Sequence, residues 1–344
     1  MLFDNGYHSA NVFTMNLTSR SIVLAATGGL VLAGCSAAVS TETPSDEPDR
    51  LIVTAAFYPL EYIAANVGGD DVTLRTITSP GVDAHDLELS PAAVRELRES
   101  DVIIYVEGFQ PAVDAAIEQL DDVTLINVED YIEFRTAEAH GHDDDDDDHG
   151  HDDDDHGHED DDHGHEDDDH GHGDEDPHFW LDPVLYAELA PVVANVLAEL
   201  DADNADNFNA RAAALEADLL ALDQEFTTAL AQCERDVIVV SHEAFGYLTD
   251  AYGLEQVGLA GLTPDAEPSP ARIREVREVA EHEGVTTIFF ETLVDSSVSE
   301  TFASDLGLVT AVLDPLEGLV NAEDDYRSVM GRNLDALVAG LGCN

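Results

Sequence analysis

The sequence predicts an α/β protein made of two doubly wound lobes with parallel sheets, joined by a long helix. Three observations predict it. From residue 51 onward, short apolar strand runs alternate with helical repeats, the pattern that builds parallel sheets. The alternation starts afresh after residue 233. Between the two series, Phe208, Leu215, Leu219, Leu222, Phe226 and Leu230 keep a three/four spacing for about six turns, the longest regular helix in the chain.

The first lobe spans 51–181. "LIVTAAF" (51–57) reads as a buried strand. In "PLEYIAANVGG", Leu60, Ile63, Ala64 and Val67 fall on one helical face, and Gly68 suits a left-handed cap. A strand follows at 73–78, and Ser90 with Pro91 opens the next helix as cap and first turn. Residues 102–106 and 123–128 give two more strands. The linking helices occupy 182–232. Asp182 caps the first, Pro183 takes its first position, and Pro191 bends it. The second lobe, 233–344, has strands at 236–241, 256–260, 286–290 and 310–313. Its helices run from Ser269–Pro270 to Gly284, from a capping box at Ser297 and Glu300, and over 322–341.

A low-complexity insert breaks the first lobe at 138–176. His149-Gly-His151, His156-Gly-His158, His163-Gly-His165 and His170-Gly-His172 recur every seven residues, and His140-Gly-His142 stands just outside that register. A seven-residue period suggests a coiled coil, yet no apolar residue fills the inner positions. Glycine in every step and like-charge repulsion predict disorder. About 22 of the chain's 75 acidic residues lie here, and the net charge is −62. The folded part is therefore acidic as well. Such a surface repels nucleic acid and anionic lipid and attracts cations, so nucleic-acid binding is set aside.

The N-terminal residues 1–34 read as a signal peptide. The apolar run 21–33 is too short to span a bilayer and fits a signal core. It ends in "LAGC", a lipobox in which Cys35 is lipidated and becomes the first mature residue. A buried apolar helix with an incidental cysteine is the alternative. The segment before Arg20 holds an acid and no base, which suggests that translation starts at Met15. Residues 35–50 form a polar tether. One acyl chain anchors weakly, and lipobox cysteines typically carry several. In an exported protein disulfides persist, so Cys233 and Cys343 are expected to pair, with two separate thiols as the alternative.

Past the leader and outside the insert only four histidines remain: His85, His178, His242 and His282. His282 sits mid-helix among glutamates, a solvated face. His85 and His242 follow strands, as do Glu291 and Asp314, and His178 precedes a helix. Ligands of doubly wound sheets bind beyond the carboxyl ends of strands. Three imidazoles with a carboxylate suit tetrahedral zinc.

The segments "GVDAHDLELSP", "DPHFWLDP", "SHEAFGYLTDAYGL", "FFETLVDSS" and "LDPLEGL" resemble those of the zinc-type substrate-binding lipoproteins of bacterial ABC importers, often called ZnuA-like. The resemblance runs from the lipobox to the end. It implies a metal site in the cleft between the lobes, with His85 and His178 from the first lobe and His242 and Asp314 from the second. Family members also carry an acidic, histidine-rich loop ahead of the D-P-H motif. Two departures stand out. Ala84 replaces a proline or acid before His85. Glu317 intrudes in the last segment and would shift the loop bearing Asp314.

The resemblance implies an extracytoplasmic, lipid-anchored, monomeric receptor that captures Zn2+ and delivers it to an ABC permease and its ATPase. It touches the membrane through its anchor alone. Glu291 is a supporting group or alternate ligand, and Glu243 a lesser alternative. The His-Gly-His steps capture zinc weakly through interchangeable pairs; a solubilising spacer is the competing reading. Related manganese receptors put a carboxylate where this chain has His242, so three nitrogens favour zinc over harder ions. Two other classes remain: a divalent-metal receptor for another ion, and a metal-storing surface adhesin without a transporter. A zinc enzyme is not expected, since no H-E-x-x-H or G-x-S-x-G motif occurs and a fourth ligand closes the site.

Overall fold

The computed structural model describes residues 50–85, 87–136, 175–264, 268–293 and 296–344. The leader, Cys35 and the insert histidines from His140 to His172 lie outside the described residues.

The first lobe is built from β1 (Leu51–Ala55), α1 (Tyr58–Gly68), β2 (Val72–Thr76), α2 (Pro91–Arg98), β3 (Val102–Tyr105), α3 (Pro111–Ile117) and β4 (Thr124–Asn127). Its strands are all parallel, in the order β2-β1-β3-β4. Every residue of β3 is buried, as a central strand covered on both faces requires. A two-residue antiparallel pair follows, β5 (Arg135–Thr136) with β6 (Glu175–Asp176). The acidic insert was expected to run to 176; its last two residues are instead paired backbone, and Asp176 is buried.

Then come α4 (Pro183–Leu200) and α5 (Ala205–Leu230). The second lobe holds β7 (Val237–Val240), α6 (Gly246–Tyr252), β8 (Glu255–Gly258), α7 (Pro270–His282), β9 (Thr287–Phe290), α8 (Ser297–Leu306), β10 (Val309–Val312) and α9 (Tyr326–Leu341). Its strand order, β10-β9-β7-β8, is that of the first lobe. In each lobe the first strand lies between the second and third, and the fourth is at an edge.

The helix starts follow simple chemistry. Ser90, Asp182 and Ser269 accept backbone N–H bonds in the first turn of α2, α4 and α7, each ahead of a proline with no N–H to satisfy. α4 passes through Pro191 without interruption. The box read at Ser297 and Glu300 is displaced: Ser296 precedes α8, and its hydroxyl bonds Glu300 at 3.0 Å. A full capping box forms instead at Asp325 and Ser328. The short helices α3 and α6, seven residues each, were not anticipated, because two turns are too few to establish a period.

One hydrophobic core runs through both lobes. It takes Val53 and Ile104 from the first sheet, Ile238, Val240 and Phe289 from the second, and the buried stripe of α5 from Phe208 to Leu230. α4 is long and apolar enough to cross a bilayer, but Tyr186, Leu189, Val193 and Leu197 place it in this core. Between the lobes lie Phe57, Trp180, Tyr186 and Tyr326, all fully buried. Their polar tips are satisfied: Tyr186 donates to Pro59 O at 2.6 Å, Tyr326 to Trp180 O at 2.7 Å and Trp180 Nε1 to Pro315 O at 2.7 Å.

Cys233 and Cys343 form a disulfide across a separation of 110 residues, tying the chain end to the approach to β7. Closing so long a loop restricts the unfolded chain strongly. Replacing both cysteines with serine is expected to cost about 2–5 kcal/mol, read as an earlier midpoint in urea unfolding.

Candidate metal centre

The two sheets present their carboxyl ends to a common cleft. His85 lies in the loop after β2. His178 caps a 3-10 turn over Phe179–Leu181, just after β6. His242 comes two residues after β7, and Glu291 directly follows β9. β7 and β9 are neighbours at the point where the strand order of the second lobe reverses, the usual ligand position in such sheets.

The structure gathers His85, His178, His242 and Glu317, with one ligand atom from each within 4.8 Å of the others. All three Nε2 atoms face Glu317 Oε1, at 3.3 Å from His85, 3.1 Å from His178 and 3.4 Å from His242. A tetrahedron with bonds of ~2.0–2.1 Å has edges of about 3.3 Å, so these three edges already fit zinc. His178 and His242 are fully buried, and His85 is the most exposed ring, packed edge-on against Phe109 at 4.6 Å.

Behind the rings stand further carboxylates. Asp176 Oδ1 meets His178 Nδ1 at 2.8 Å, and Glu291 Oε1 meets His242 Nδ1 at 2.6 Å. Ser241 also donates to Glu291. A carboxylate takes the Nδ1 proton and turns the Nε2 lone pair inward. His85 Nε2 and His242 Nε2 are then buried with no hydrogen-bond partner: they lie close to Glu317 but off the bonding direction. Lone pairs aimed at a carboxylate oxygen repel each other unless a cation sits among them. The donor set and its orphaned nitrogens therefore fit a metal ion.

Asp314, expected as the fourth ligand, does not join this group. Its Oδ1 accepts from Leu316 N at 2.9 Å and its Oδ2 from Thr292 at 2.8 Å. It shapes the turn that delivers Glu317. Buried Asn333 holds the Asp314 backbone from both sides, at 2.9 and 2.7 Å, and Trp180 grips Pro315 O. Leu316 is forced to φ 62°, the one positive φ outside glycine among the described residues, at a cost of about 1–3 kcal/mol. The extra residue that departs from the family segment is thus the carboxylate at the centre.

The other sequence candidates are elsewhere. Glu243 accepts from Arg272 at 2.7 Å and from Gly258 N at 3.2 Å, away from the cluster. His282 is exposed on α7 beside Glu283, as a solvated face predicts. Asp176 and Arg135 carried no signal in the sequence, where both bordered a low-complexity stretch. Outside the rings, a cavity of about 280 Å3 opens past His85, with Glu107, Glu129 and Glu175 on its walls, so the approach is negative and draws cations.

Comparison with known proteins identifies the family. The model of the zinc-uptake complex component A, periplasmic, matches residues 53–340. The zinc-binding lipoprotein AdcA of Streptococcus pneumoniae is 30% identical over 322 residues, 92% of this chain and 60% of AdcA, so this chain spans about 60% of that relative's length. The high-affinity zinc uptake system protein ZnuA of Bacillus subtilis is 30% identical over 320 residues, covering 91% of this chain and 94% of ZnuA. Among solved structures, Zn(II)-bound AdcA of Streptococcus pneumoniae superposes with a TM-score of 0.66 at 29% identity, over 85% of this chain and 58% of that one. The metal-dependent lipoprotein YcdH of Bacillus subtilis gives 0.66 at 28% identity, over 85% and 100%.

Charge balance sets the pH behaviour. Asp176, Glu291 and Glu317 touch the rings, and Arg135 offsets one of them, leaving −2 if the imidazoles are neutral. A divalent cation cancels this, and so do two protons. Burial pushes His178 and His242 down, but the carboxylates at their nitrogens outweigh it: His178 is raised, and His242 is raised to about 10. Burial would raise Glu317; the hydrogen bond from His178 and the close rings of His242 and His85 hold it well below the usual range. Proton competition therefore begins far above the pH of 6.5 expected for free imidazole. A histidine whose pKa rises from 6.5 to about 10 stabilises the fold fully below pH 6.5 and ceases to do so by about 10. The metal-free protein should thus melt at progressively lower temperature from pH 6.5 to 10, while the zinc-saturated protein stays level. Calorimetric zinc titration near pH 8 in buffers of different ionisation enthalpy should read about two protons released per ion.

Proposed function

The chain belongs to the family of periplasmic zinc-uptake components, and on that premise we propose that it is an extracytoplasmic receptor for Zn2+. It binds one ion between its lobes through His85, His178, His242 and Glu317 and hands it to an ABC permease driven by its ATPase. The observation that carries the reading is the convergence of three imidazole Nε2 atoms on one buried carboxylate oxygen. Three nitrogens and one oxygen at tetrahedral spacing favour zinc over the harder, higher-coordinate ions. Four protein ligands leave no open position for a substrate or an activated water, which argues for carriage rather than catalysis. The relatives bear zinc-binding and uptake names rather than enzyme names.

The lipobox at Cys35 supports tethering to the outer face of the membrane, and a relative is called a lipoprotein. The core shared by both lobes supports release by small movements of the ligand loops rather than by wide opening. The loop of His85 is the natural mover: it bridges the cleft through Gly81 N to Leu319 O at 3.0 Å and carries the most exposed ligand.

Substitution separates the two candidate carboxylates. Glu317→Gln, like His85→Ala, His178→Ala and His242→Ala, should weaken zinc binding by more than about 100-fold in competition with a chromogenic chelator. Asp314→Asn should cost only ~10-fold, the scale of a supporting group. The reverse ranking would restore Asp314 as the ligand. For the His-Gly-His steps, deletion of 140–174, stopping short of the paired residues Glu175 and Asp176, should leave one tight site. It should slow zinc uptake only when zinc is scarce; equal uptake in both regimes would make the insert a spacer.

A further inference from the structure

Arg135 stands on the far side of Asp176 from His178. Its Nη1 lies 3.5 Å from Asp176 Oδ2, while Asp176 Oδ1 holds His178 through both Nδ1, at 2.8 Å, and the backbone N, at 3.0 Å. Its Nη2 lies 3.2 Å from Asp250 Oδ2 on α6, in the other lobe. The Arg135 backbone N donates to the Tyr247 hydroxyl at 2.9 Å, and that hydroxyl donates to Asp176 O at 2.9 Å. The guanidinium also rests over the Tyr247 ring, 5.7 Å from its centre. Gly246 admits this arrangement: a Cβ there would sit 1.5 Å from Arg135 Nη1 and 2.7 Å from Asp176 Oδ2.

We propose that Arg135 is a positioning residue for metal binding, locking the Asp176–His178 pair to α6 of the other lobe. The proposal rests on the three-histidine site argued above. A carboxylate fixes a ligand ring only if its own orientation is fixed, and a buried carboxylate with one oxygen on a histidine needs a partner for the other. Arg135 and the Tyr247 hydroxyl supply that constraint from opposite sides of the same residue. The Asp250 end is exposed and contributes little by itself; the Asp176 end is buried and carries the effect.

The test uses the full chain with one equivalent of Co2+, whose visible bands report ligand geometry, together with zinc competition. Arg135→Ala and Gly246→Ala, which displaces the guanidinium without removing a charge, should each weaken zinc binding ~10–100-fold and change the cobalt bands. Their metal-free forms should melt somewhat earlier than the parent, because a buried carboxylate loses its partner, but should still unfold cooperatively. Arg135→Lys, which keeps a cation beside Asp176, should recover the cobalt spectrum. Parent-like affinity and bands in both Ala variants, or a Lys variant with bands as altered as the Ala variant's, would overturn the proposal. His178→Ala in the same assay separates the two levels. If it loses the bands while Arg135→Ala keeps them, only the role of Arg135 falls. If it keeps them, the three-histidine site falls as well.

Discussion

The structure depends on a buried charge that the protein alone does not neutralise. Three imidazoles point their Nε2 atoms at a single oxygen of Glu317, and carboxylates behind two of the rings keep them turned that way. An arrangement of lone pairs facing lone pairs in a dry cleft survives only with protons or a cation among them. The exchange of two protons for one divalent ion leaves the local charge unchanged.

Holding those groups together takes a scaffold that resists relaxation. Trp180 grips Pro315, Asn333 grips Asp314, and Asp314 folds back onto Leu316. Between them they hold Leu316 in a left-handed conformation that leucine does not choose. The strain is sustained because Leu316 is fully buried and its neighbours are bonded on every side. Tyr326 on α9 closes the same knot by bonding Trp180 O. The carboxylate of one lobe is thus clamped by the fully buried aromatic core that the two lobes share.

Much of this was legible in the sequence. Strand and helix alternation gave the two lobes, capping residues placed the starts of α2, α4 and α7, and the three loop histidines stood out once the insert was set aside. What the sequence does not show is which carboxylate faces the rings. Asp314 and Glu317 are three residues apart in one irregular loop, and no periodicity says which side chain turns into the cleft. That choice is made by the positive φ of Leu316 and by Asn333, nineteen residues further on in α9. The short β5–β6 pair was hidden for another reason: two residues of strand beside an acidic repeat look like more repeat.

That pair explains how a long acidic insert coexists with the buried ring of His178 so close behind it. The Tyr247 hydroxyl bonds both strands, accepting from Arg135 N and donating to Asp176 O, so the chain enters and leaves the insert at a fixed point on α6. The chain on either side of the insert is thus fixed to the second lobe, and the ring of His178 is oriented by Asp176 within that fixed frame.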